Sequence, residues 1–270
     1  MVKFLLPAIV ASVFVLTGCG SSASSADAGE ISSSVQTSRP QVSHTAFKTD
    51  ILIFQGSATA YGDAESLQTI ADAHGLSSVI RNSSQMDQMT VEELATFGAI
   101  VWPGGYAGQM SDSLKASTRR NIQAAVKERG VGFVGFCAGA FIAISPDTKW
   151  GFSLIAQPTL PYYHLEDEGT DTAMVSVNLS DGTKRNLVWW GGPTLPEFPG
   201  GVIARYGDTG QPAIAQAWAG NGLMILSAPH PEAPESWRGK LGLSDSDGLD
   251  HDIAFNMIQS AIQQQPMKSF

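Results

Sequence analysis

Val131-Gly-Phe-Val-Gly-Phe-Cys-Ala-Gly-Ala-Phe-Ile-Ala-Ile144 opens as an unbroken apolar run and closes as a small, alanine-rich segment. The first part predicts a buried strand and the second a helix. Between them, Gly135-Phe136-Cys137-Ala138-Gly139 has the spacing G-x-nucleophile-x-G, with cysteine where many hydrolases carry serine. A side chain at so sharp a strand-to-helix turn is held out for attack, and flanking glycines let neighbouring backbone pass close by. The helix that follows directs its positive end at the sulfur. A buried, inert cysteine between packing glycines fits the same five residues, so the surrounding chain must decide between the two.

Upstream, Asp50 to Gln55 reads as a buried strand, stopped by Gly56. Ala64 to His74 reads as a helix with Asp63 as N-cap and Gly75 as its stop. Ser77 to Arg81 is a second strand, and Thr90-Val-Glu-Glu93 is a capping box that opens a short helix. Ala99 to Trp102 is a third strand, ended by Pro103-Gly104-Gly105, and Ser113 to Glu128 is one longer helix. Four strand–helix alternations predict an α/β fold: a mostly parallel sheet with helices on both faces.

Downstream the pattern changes. Ser180-Asp181-Gly182 and Asn221-Gly222 are turn signals between apolar runs and predict two hairpins. The C-terminal half is therefore expected to add antiparallel strands, the last returning toward Cys137. Asp250 to Gln264 closes the chain as a helix, with Ile253, Ala254, Met257, Ile258 and Ile262 on one face.

The 270 residues, 43% hydrophobic, suffice for a substantial core. A formal net charge of −9 without a basic cluster speaks against nucleic-acid binding. Lys3 and the apolar run Phe4 to Val15 predict a leader over residues 1–18. Leu16-Thr17-Gly18-Cys19 resembles a bacterial lipobox, in which Cys19 carries the lipid and becomes the membrane anchor. Gly20, in place of the aspartate that retains lipoproteins at the inner membrane, points to the outer membrane of a diderm envelope, facing the periplasm. Residues 19–48, rich in Ser, Ala, Gly and Thr, are expected to be a tether, and 49–270 the folded domain. With Cys19 acylated, Cys137 has no partner in an oxidising compartment, which favours a function for it.

A cysteine nucleophile needs a base, a group to orient the base, and oxyanion donors. Leu223 to Ala228 is an apolar strand, and Pro229-His230-Pro231-Glu232 follows it directly. His230 at a strand exit faces a cleft in an open parallel sheet, and Glu232 is placed to fix its tautomer. The N–H groups of Gly105 and Ala138 are candidate oxyanion donors. Trp189, Trp190, Tyr162 and Tyr163 are candidate pocket aromatics, although strand aromatics are more often core. Five scattered histidines and no paired cysteines give no metal motif, and no cofactor is expected.

Pro103-Gly-Gly-Tyr106, Gly135-Phe-Cys-Ala-Gly-Ala140, Trp189-Trp-Gly-Gly-Pro193 and Ala228-Pro-His-Pro-Glu232, in that order, resemble the class I glutamine amidotransferase superfamily. The likeness is nearer to the N-terminal amidotransferase-like domain of biotin-protein ligases and spans roughly residues 50 to 265. It implies a flavodoxin-like sheet, Cys137 as nucleophile, His230 as base and Glu232 as orienter, with Gly105 and Ala138 as oxyanion donors. It also implies a substrate pocket at Tyr106, Trp189, Trp190, Gly191 and Gly192. No G-R-G-R-like adenylate loop occurs in these residues, so biotin ligation is not expected of them. A thiol hydrolase or amidase acting on an unidentified small molecule or peptide is the leading expectation. An inactive binding module of the same fold and a thiol redox sensor are the alternatives.

Overall fold

The computed structural model of the chain describes residues 47–270. The expected leader (1–18), Cys19 and the tether as far as residue 46 lie outside the described residues. In chain order the first half contains β1 (Thr49–Phe54), α1 (Asp63–Ala73), β2 (Ser78–Arg81), α2 (Ser83–Met86), α3 (Val91–Leu94), β3 (Phe97–Trp102), α4 (Ala107–Asp112), α5 (Ala116–Lys127), β4 (Gly132–Phe136) and α6 (Ala138–Ala143). The second half contains β5 (Ile144–Ser145), β6 (Ile155–Ala156), α7 (His164–Asp167), β7 (Thr172–Leu179), β8 (Lys184–Trp190), β9 (Val202–Tyr206), β10 (Pro212–Ala219), β11 (Gly222–Ser227), α8 (Glu235–Leu241) and α9 (His251–Gln263).

Nine strands form one sheet in the order β2-β1-β3-β4-β11-β10-β9-β7-β8. The first five are mutually parallel, and this 2-1-3-4-5 order is that of a flavodoxin-like sheet. β10, β9, β7 and β8 continue it as an antiparallel extension. The central strands β3, β4 and β11 are buried along their whole length, which explains why they read as unbroken apolar runs rather than alternating ones. α9 lies against β3, β4 and β11 and touches α1, while α3 and α5 pack on each other, so helices cover both faces. Gly132 allows the first contact: a Cβ there would run into the backbone of Ala261 in α9.

Both expected hairpins form, β7–β8 around Gly182 and β10–β11 around Gly220-Asn221, one residue earlier than expected, with Gly222 paired to Ala219 as the first residue of β11. The Thr90 capping box is present in full, with the Thr90 hydroxyl accepting from Glu93 N–H and the Glu93 carboxylate from Thr90 N–H. Three local expectations need correction. The helix expected over Ser113 to Glu128 is α5 alone and starts at Ala116, because Lys115 is extended and forms its N-cap; α4, which precedes that range, was not anticipated. The strand β9 was not anticipated; its core-facing Ile203, Ala204 and Tyr206 are bounded by glycines. Asp63 is not an N-cap: Gly62, at φ 83°, holds that place, and Asp63 is the first helical residue with its side chain fully buried.

Candidate active site

β1, β3, β4 and β11 end at one rim of the sheet, where open α/β folds bind ligands. A cleft of about 800 Å³ opens there. Its wall includes Ser57 to Tyr61 after β1, Gly105 to Gln109 after β3, and Cys137 after β4. Trp190 at the end of β8, Gly191 after it and His230 after β11 also line it, as do Tyr162, Glu166 and Asp171.

Cys137 is the hinge of the strand-to-helix turn. Its backbone sits at φ 44° and ψ −98°, outside the favoured regions of an L-residue, a strain of about 1–3 kcal/mol. Its N–H donates to Ser227 O at 2.8 Å, which ties the turn to the end of β11. Gly135 and Gly139 are needed for the turn to close, since a Cβ on Gly135 would lie 2.8 Å from the Gly139 carbonyl carbon. The side chain is 3% exposed, yet it borders the cleft, and Sγ donates to Trp190 O at 3.5 Å. Among the described residues it is the sole free cysteine.

His230 is fixed from three sides. Its N–H donates to Val188 O at 2.7 Å, its ring stands edge-on to Trp237 at 5.1 Å, and Nδ1 lies 2.7 Å from Glu232 Oε1. Nε2 is buried without a hydrogen-bond partner in the structure. Burial lowers the basicity of this imidazole, but negative charge at Cys137 and then at Asp63 outweighs it, so the net shift is upward. Sulfur and imidazole therefore border the same cleft, with Glu232 hydrogen-bonded to the ring, while Sγ bonds Trp190 O rather than Nε2.

The sequence reading missed Asp63, which is buried beside His230 and Glu232. Asp63 accepts from Gly104 N–H through Oδ2 at 2.7 Å, and its carboxyl faces that of Glu232. Burial pushes both carboxyls well above the usual range, and the charge of Glu232 raises Asp63 further. Their mutual contact raises Asp63 and lowers Glu232, while both stay well above the ordinary carboxylate range. Asp63 Oδ1 and Glu232 Oε2 are buried without a hydrogen-bond partner. Asp63, His230 and Glu232 present ligand-type atoms within 4.8 Å of one another, the one such group among the described residues. A polar helix-start residue beside a glycine reads as a cap; only the tertiary position of α1 turns Asp63 inward.

Gly104 is where the strand-end glycines matter most. A Cβ there would collide with Cε1 of His230 and come within 3.1 Å of Asp63 Oδ2. Gly104→Ala is expected to displace the imidazole and slow alkylation of Cys137 by iodoacetamide about tenfold or more, with the fold retained by circular dichroism. An unchanged rate would show that the ring does not depend on this approach. Gly105, at φ 137°, is held by the neighbouring Ala60 N–H to Gly104 O and Tyr106 N–H to Ala58 O bonds. The N–H groups of Gly105 and Ala138 have no backbone acceptor among the described residues.

Of the expected pocket residues, Tyr106, Trp190, Gly191 and Tyr162 line the cleft. Trp189, Tyr163 and Gly192 do not. Side chains alternate along β8, so Trp190 reaches the cleft and Trp189 is fully buried in the core, its Nε1 donating to Gly192 O. Tyr163 stacks on Tyr206 at 3.7 Å in the same core, and Gly192 is pressed against the Ala228 carbonyl.

No family model matches the chain, and no curated protein does. Among solved structures, a glutamine amidotransferase is 17% identical at TM-score 0.48, covering 71% of this chain and 97% of its own. A glutamine amido transferase from Methylobacillus flagellatus is 13% identical at TM-score 0.49, covering 83% and 98%. An exo-β-1,4-mannosidase from an Opitutaceae bacterium is 10% identical at TM-score 0.43, covering 82% of this chain and 37% of that one. The chemistry of the cleft therefore has to be read from its own residues.

Proposed function

We propose that this chain is a cysteine-dependent hydrolase of the class I glutamine amidotransferase type, acting on an amide or related carbonyl through a thioester. The observation that carries the reading is that Cys137, on a strained turn, and His230, whose Nε2 is buried and unpartnered, line the same cleft. Sγ attacks the carbonyl carbon while Nε2 takes the thiol proton. Nδ1–H donates to Glu232, which fixes the tautomer and stabilises the imidazolium. The tetrahedral oxyanion accepts from Gly105 and Ala138 N–H. The imidazolium then protonates the leaving nitrogen, a thioester remains on Cys137, and His230 activates a water that hydrolyses it and regenerates the thiol.

Asp63 stands behind this relay as a positioning residue. A proton between its carboxyl and Glu232 satisfies both orphaned oxygens and keeps Glu232 in place as the anion. This predicts an unusual ranking. Asp63→Asn offers an oxygen to Gly104 N–H and an N–H to Glu232, so it mimics the protonated acid and retains activity within about threefold. Asp63→Ala loses both contacts and up to about a hundredfold in rate. The reverse ranking would mean that the carboxylate, not the acid, is needed.

The reading is tested with electrophilic amide and peptide probes, scored on the peptide that carries Cys137. Labelling of the native protein that is lost in His230→Ala is expected; equal labelling of both would reject the pair. We further propose that Cys19 is acylated and anchors the chain to a bacterial envelope membrane, the outer one in a diderm host. Cys19→Ser should then move the protein from the membrane to the soluble fraction; unchanged partitioning would count against the anchor.

A further inference from the structure

The cleft has a chemical character that the triad does not require. Six large apolar or aromatic side chains stand exposed among the described residues, and four of them are in the cleft wall: Tyr61 (76% exposed), Tyr106 (69%), Tyr162 (54%) and Trp190 (38%). Aromatic surface left open at one place marks a binding site. Two of these rings are braced from behind, Tyr162 by Phe141 at 5.0 Å and Trp190 by Trp237 at 5.1 Å, so their faces are fixed before a ligand arrives.

The charged groups in the same wall have one sign. Glu166 and Asp171 line it, and no lysine or arginine does among the described residues. Neither carboxylate has a cationic partner there. Tyr162 ties the acidic side to the reacting centre: after burial, Glu166 and Cys137 are the groups that push its phenol up. The buried, unpartnered Nε2 of His230 borders the same space. The rings also attract cations within this molecule, since Lys240 Nζ sits 4.0 Å over the Tyr61 ring. Aromatic faces with two carboxylates, and no lysine or arginine among the lining residues, suit a cation better than an anion.

We infer that the substrate carries a net positive charge: an amide or ester with an ammonium group and no carboxylate, the ammonium held by the aromatic wall and by Glu166 and Asp171. The inference rests on the reading of Cys137 as the nucleophile.

Three methanethiosulfonates of similar size separate the two ideas: a trimethylammonioethyl, a neutral ethyl and a sulfonatoethyl reagent. In each case the Cys137 sulfur forms a disulfide with the reagent and methanesulfinate leaves, so the step is balanced and needs no oxidant. Rates are scored by mass spectrometry on the Cys137 peptide of the full chain and divided by the rates with free 2-mercaptoethanol. The cationic reagent is expected to exceed the anionic one by about tenfold or more. Glu166→Gln and Asp171→Asn should each reduce that ratio at least twofold. Glu128→Gln, an exposed change of equal charge beyond the end of α5 that leads into β4, should leave it unaltered. Neutral labelling without charge preference, or equal losses in all three variants, would overturn the inference and leave the nucleophile reading standing. No labelling by any reagent would remove both.

Discussion

Cys137→Ala is expected to lower hydrolysis of any amide or ester that the native protein turns over by about 10⁴-fold or more. The size follows from the way nucleophile and base act as one unit, so that losing the nucleophile alone removes nearly all of their joint effect. Whatever rate remains would come from binding and the oxyanion donors. The variant should stay folded, because the 3% exposed side chain loses one sulfur atom at the border of an open cleft rather than in a sealed core. Thermal unfolding close to that of the native protein, with no turnover, is the expected pair of results. Retained turnover would place the chemistry elsewhere.

His230→Ala should produce a loss of similar size for a different reason. The sulfur remains, but nothing takes its proton or returns one to the leaving nitrogen, and Glu232 with its partner Asp63 is left facing a void. Because His230 borders the cleft, that void is open to solvent. Added imidazole is therefore expected to restore part of the rate in His230→Ala and none in Cys137→Ala. Rescue of neither, with both variants folded, would still fit a proton acceptor that demands exact placement; rescue of both would not fit any role for the thiol.

Much of this arrangement was legible from the chain. The strand β4 and its elbow could be read because a fully buried central strand leaves an unbroken apolar run, and because the turn tolerates only small residues at Gly135 and Gly139. His230 and Glu232 could be read because they follow an equally apolar strand, β11. Asp63 could not. Its inward direction depends on where α1 packs against the loop after β3, a contact 41 residues away in sequence. The wrong assignment of Trp189 has the same origin: in a Trp-Trp pair, alternation says that one ring faces the core, but only the sheet shows which. β9 was missed because its pairing partners β7 and β10, rather than its own short sequence, hold it as a strand.

The central claim is that the sulfur of Cys137 and the imidazole of His230 work as a pair, and the pH dependence of Cys137 alkylation measures this directly. Only neutral imidazole takes the thiol proton. Since negative charge at Cys137 and Asp63 shifts His230 upward despite its burial, the native rate should rise with pH through a step whose midpoint lies above the ordinary histidine value of about 6.5. That step should be absent from His230→Ala. The same profile in both proteins would contradict the account.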